Sequence, residues 1–91
     1  MMVTDIEYTT NFVKQFKKLP DRIQKIAIQK EIIFRQNPLH PSLRLHELNG
    51  VLREVWSISI TMNYRIVFKR KLGGVILFYS IGKHDVYLNL Y

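Results

Sequence analysis

Polar and apolar positions alternate at the start of the chain, and helical stripes follow. From Met2 to Tyr8, the set Val3, Asp5, Glu7 alternates with Thr4, Ile6, Tyr8, the period-2 pattern of a short strand. Thr9, Thr10 and Asn11 then offer helix-capping side chains, and Phe12, Phe16 and Leu19 fall at i, i+4 and i+7, one stripe of a short helix. Leu19-Pro20-Asp21 breaks that helix, and Pro20 suits the first turn of the next, where a missing N–H costs nothing. This second helix runs over about 21–36 on a core stripe of Ile23, Ile26, Ala27, Ile33 and Phe34. Ile28 and Ile32 fall outside the stripe, and two readings stand: a wide buried face, or a docking surface for a partner. Asn37-Pro38 ends the helix and residues 38–42 connect onward.

From Leu52 the pattern is that of sheet. Leu52, Trp56, Ile58 and Ile60 share one face, with Glu54 out of place, and Arg53, Val55, Ser57 and Ser59 share the other. Thr61-Met62-Asn63 turns the chain back, pairing Ile60 with Tyr64 and setting Arg65 opposite Ser59. In the returning strand Tyr64, Ile66 and Phe68 face one way, and Arg65, Val67 and Lys69 the other. Gly73-Gly74 marks a tight turn, and Val75 to Ile81 is apolar on both faces, as an interior strand should be. The expected fold is α+β: an N-terminal strand and a two-helix hairpin packed on an antiparallel β-sheet, with residues 1–91 forming one domain.

Charge adds the first functional clue. Fourteen Lys and Arg against seven Asp and Glu give a net charge of +7 on 91 residues. That excess points to a polyanionic partner, nucleic acid ahead of an acidic protein or an anionic membrane. With no cysteine there is neither a disulfide framework nor a thiolate metal site, and the cytoplasm is the natural compartment. The opening residues lack a signal-peptide pattern, and no apolar run is long enough to span a bilayer.

Candidate chemistry gathers in the second half. Arg65 stands out on a strand face, with Arg53 on the equivalent face of the preceding strand about 20 Å away at ~3.3 Å per residue. The two cannot grip one phosphate but can follow one extended strand of nucleic acid, with Lys69 and Lys83 as further cations. Lys83-His84-Asp85-Val86-Tyr87 follows Gly82, and His46 lies on an irregular segment before the sheet. Histidine titrates near neutral pH and suits proton transfer, so His46 and His84 are acid–base candidates. No His-Glu-x-x-His spacing or phosphate-binding glycine loop is present, so no metal or cofactor is expected.

Three stretches, in order, carry a family resemblance: Leu45-His46-Glu47-Leu48-Asn49-Gly50; Trp56-Ser57-Ile58 through Tyr64-Arg65-Ile66-Val67-Phe68; and Ile81-Gly82-Lys83-His84-Asp85-Val86-Tyr87. Over the whole chain they resemble the RelE/ParE superfamily of toxins from type II toxin–antitoxin modules. The RelE-like branch implies a metal-independent endoribonuclease that cuts mRNA in the ribosomal A site by 2′-OH attack and is silenced by an acidic antitoxin. By position, Arg65 would stabilise the phosphorane, His84 would protonate the leaving oxygen, and Tyr87 would stack on a base or help deprotonate the 2′-OH. His46 matches the histidine of the YafQ-like group as a second base candidate. The lysines that RelE carries on the first hairpin strand have no counterpart, their positions falling at Trp56 and Ile58. That departure keeps open the ParE-like alternative, a DNA gyrase inhibitor without nuclease activity. Either toxin implies an antitoxin partner, with the Ile28/Ile32 patch as its expected dock.

Overall fold

The computed structural model of the chain describes residues 1–48 and 54–83. Strand β1 (Asp5–Tyr8) leads into helices α1 (Thr10–Lys17) and α2 (Asp21–Gln36), and a 3₁₀ turn (Pro41–Leu43) returns the chain to the sheet. Strands β2 (His46–Leu48), β3 (Val55–Ser59), β4 (Arg65–Arg70) and β5 (Val75–Gly82) follow. The sheet order is β1-β5-β4-β3-β2. Neighbours from β2 to β5 run antiparallel, but β1 pairs with β5 in parallel, so the sheet is mixed rather than wholly antiparallel. Alternation within a strand carries no information about the direction of its neighbour, which is why the pattern did not reveal this. Among the described residues no helix is long and apolar enough to cross a membrane.

Local chemistry explains how the elements start and stop. Thr9 Oγ1 accepts from the Phe12 amide at 2.9 Å, capping α1, and donates to the Tyr79 carbonyl at 2.7 Å, which ties the helix start to β5. At the other end, Gln24 Nε2 donates to the carbonyls of Phe16 and Leu19, closing groups that α1 leaves open. Pro20 immediately precedes α2 and makes no side-chain cap. At the β4–β5 turn Gly74 has φ +79°, and a Cβ there would sit 3.0 Å from both the Met2 carbonyl and Thr4. Glycine is required on both counts.

Both helices cover one sheet face. The core gathers Ile6, Phe12, Ile23, Ala27 and Phe34 against Ile58, Ile66, Phe68, Ile76, Phe78 and Ile81. Phe34 joins the layers, its ring 5.1 Å from Phe68 and 5.8 Å from Phe78. The pairing of β4 with β5 slips between Val67 and Phe68, so that Tyr79 is an extra residue between Phe78 and Ser80. This bulge resets the alternation, which lets Ile76, Phe78 and Ile81 all enter one core and puts Ser80 across from Val67 on the opposite face.

Candidate functional site

The sheet face away from the helices is read off the register. His46 lies opposite Ser57, Ser57 opposite Val67, and Val67 opposite Ser80. One row further along, Ser59 lies opposite Arg65 and Arg65 opposite Gly82. Arg65 is thus partly buried at the rim of a floor of small side chains, with Ser57, Val67 and Ser80 fully buried beside it. His46 is exposed, and it opens an edge strand rather than an irregular segment; three residues are too few for a periodicity to show. Its Cα stands about 12 Å from that of Arg65, two strand spacings across and two residues along. An arginine and a histidine can both reach one phosphodiester placed within that gap.

The other expected site residues divide. Lys69 shares the face of Arg65 about 13 Å along the strand, its ammonium over the Tyr79 ring at 4.9 Å from the centroid. Lys83 is exposed and stands over the ring of Tyr64, which packs toward the helices, so the pleat separates it from Arg65. Arg53, His84 and Tyr87 lie outside the described residues. Trp56 and Ile58 turn toward the helix side, Ile58 fully buried there. The β3 residues that share the face of Arg65 are Ser57 and Ser59, both buried. Among the described residues no group of His, Cys, Asp or Glu gathers to hold a metal ion.

A second feature lies on the helical side. An apolar groove of about 370 Å³ runs between α1 and α2, lined by Tyr8, Phe12, Val13, Phe16 and Ile28 among others. Beside it Ile28 and Ile32 are 50% and 52% exposed, which settles the choice between a wide buried face and an open patch in favour of the patch. At its rim the Tyr8 hydroxyl donates to Glu31 Oε1, which also accepts from Arg35 Nη2. Burial first, then the hydrogen bond and charge of Glu31, push the Tyr8 phenol above its ordinary 10.0, against a smaller opposing effect of Arg35. A phenol held protonated in the fold stabilises it fully below the unfolded value, and that stability is lost as pH rises through the folded one. Thermal denaturation above pH 10 should therefore destabilise the wild type more steeply than Tyr8→Phe; parallel pH profiles would discount the contact.

A strand followed by a helical hairpin on one face of a five-stranded sheet is the fold of solved YoeB/ParE, YafQ and RelE toxins, and this chain has it. No family model matches the sequence, nor does any curated protein. Solved structures do. The YoeB/ParE toxin of Agrobacterium tumefaciens superposes with a TM-score of 0.76 at 15% identity, covering 89% of this chain and 99% of its own. YafQ of E. coli gives 0.69 at 18%, over 91% and 96%. A chain of the RelBE2 toxin–antitoxin complex of Mycobacterium tuberculosis gives 0.72 at 18%, over 88% and 96%.

Proposed function

We propose that this protein is the toxin of a toxin–antitoxin pair, and that it cleaves mRNA on the ribosome. The observation that carries the reading is Arg65, half-buried on the sheet face away from the core and on one face with His46. In the reaction the 2′-OH gives its proton to His46 while its oxygen bonds to phosphorus. The P–O5′ bond breaks, His84 returns a proton to the leaving oxygen, and a 2′,3′-cyclic phosphate remains. Arg65 neutralises the charge that builds on the non-bridging oxygens. Tyr87 stacks on a base, and Arg53 and Lys69 hold the strand by its phosphates.

Primer extension on an mRNA in a translating extract tests this directly. Cuts that need both the ribosome and the protein are expected; intact mRNA would end the nuclease reading. Serines at positions 57 and 59 of the sheet face favour a second reading, inhibition of DNA gyrase, which predicts intact mRNA and arrested supercoiling.

The antitoxin is the partner that the groove between α1 and α2 suits. An apolar helix laid there would cover Ile28, and burying such a side chain stabilises by about 1.5–3 kcal/mol. Acidic flanks would match the net charge of +7. Ile28→Glu is accordingly expected to weaken the affinity for the cognate antitoxin about tenfold to a hundredfold by calorimetry. Unchanged affinity would place the dock elsewhere.

A further inference from the structure

We propose that a second basic pocket, formed where α2, the 3₁₀ turn and the β3–β4 hairpin meet, holds a backbone phosphate of single-stranded RNA next to the bond being cut. The pocket encloses about 230 Å³, and Lys30, Arg44 and Arg65 line it together with Ser42, Ser59 and Thr61. A water takes about 30 Å³ in the liquid, so there is room for a phosphate and part of its hydration shell. The ligand's identity as RNA rests on the nuclease reading above; its identity as an oxyanion rests on the pocket alone.

Three elements far apart in sequence each bring one cation to this pocket, and among the described residues no carboxylate lines it. Among the described residues the two ion pairs, Arg35–Glu31 and Lys71–Glu7, use other side chains. Like charges around one small cavity repel, and an anion between them relieves that repulsion. The donors are also available. Lys30 Nζ has only a long 3.5 Å contact to the Ser42 carbonyl. Thr61 Oγ1 accepts from the Asn63 and Tyr64 amides, which leaves its own O–H to donate. Arg44 sits at φ +46°, a left-handed conformation where Gly or Asn would be easier, yet a long cationic side chain occupies it.

Arg65 belongs both to this pocket and to the sheet face that carries His46. A strand with repeating phosphates can occupy both places at once, whereas a free phosphate fills only one. Lys30 and Arg44 thereby extend the binding surface around the sheet end, away from Lys69.

The test is anisotropy with a fluorescent 2′-O-methyl oligouridylate, which cannot be cut, titrated over a range of salt. Lys30→Met with Arg44→Gln should weaken binding about tenfold, the size of one charge-assisted contact. The slope of log affinity against log salt should flatten by about 0.7, one phosphate's worth of released counterion. Circular dichroism of the same variant checks that it folds, and each single variant should show part of the effect. Unchanged affinity and slope in the double variant, or no binding by the wild type, would overturn the proposal. A loss of inorganic phosphate binding with oligonucleotide binding intact would overturn the RNA assignment and leave a free-phosphate site. Binding through Lys30 and Arg44 beside uncut mRNA would instead sink the nuclease and keep the pocket.

Discussion

Arg65→Ala should lower the rate of ribosome-dependent mRNA cleavage by about 10²–10³ while the domain stays folded. The size follows from what the guanidinium does. A phosphorane gathers charge on its non-bridging oxygens, and a planar cation set beside them in advance needs no reorganisation as that charge appears. The structure also says why the fold should survive. The Arg65 side chain stands at the rim with Ser59 and Gly82 across from it, and the register of β4 depends on Ile66 and Phe68 in the core. Arg65→Lys is the informative companion. It keeps the charge and loses the paired donors, so it should recover only part of the rate. Single-turnover cleavage in a reconstituted translation system, beside a thermal melt, makes the measurement. Wild-type rates in a folded Arg65→Ala protein would remove this arginine from the chemistry.

How much of this was legible in the sequence depended on the range of the interactions. The β3–β4 hairpin was legible, because alternation and a short turn are local: the Ile60 amide donates to the Tyr64 carbonyl, and Ser59 lies opposite Arg65, as the pattern required. The Gly73-Gly74 turn followed from equally local rules, whereas the place of Ile28 and Ile32 outside the core stripe left their exposure open until the packing decided it. The bulge at Tyr79 was not legible. An apolar run such as Val75-Ile76-Leu77-Phe78-Tyr79-Ser80-Ile81 has no alternation to break, so nothing in it marks where the phase slips. The faces of β3 were legible by contrast, since Trp56 and Ile58 lie toward the core while Ser57 and Ser59 share the face of Arg65, as their alternation required. Lys30 and Arg44 escaped notice because only the folded chain brings α2 and the 3₁₀ turn to the hairpin. Their one local trace is weak: an arginine just after Pro-Ser-Leu, which here caps a turn in the left-handed region.

Phe34→Ala should cost about 3–5 kcal/mol of stability, the usual range for emptying a buried phenylalanine site. A domain of 91 residues has roughly 5–14 kcal/mol to lose, so the change takes a large share of it. At ~4–8 °C per kcal/mol, the midpoint should fall by at least about 12 °C. The position explains the cost. Phe34 is fully buried and comes from α2, and its ring meets Phe68 of β4 and Phe78 of β5. Removing it opens a cavity between layers that the sheet cannot close without breaking its own hydrogen bonds. Ile32→Ala, two residues earlier on the same helix, is the control. Its side chain is 52% exposed, so the same truncation should change stability by about 0.5 kcal/mol or less. The pair also separates fold from function, because α2 carries both the groove residue Ile28 and the pocket residue Lys30. Phe34→Ala should weaken antitoxin binding and RNA binding together, through loss of the folded state. Ile32→Ala should touch the antitoxin side alone. Urea denaturation of both variants decides the matter, and a Phe34→Ala protein within about 1 kcal/mol of wild type would mean that α2 is held to the sheet by something other than this ring.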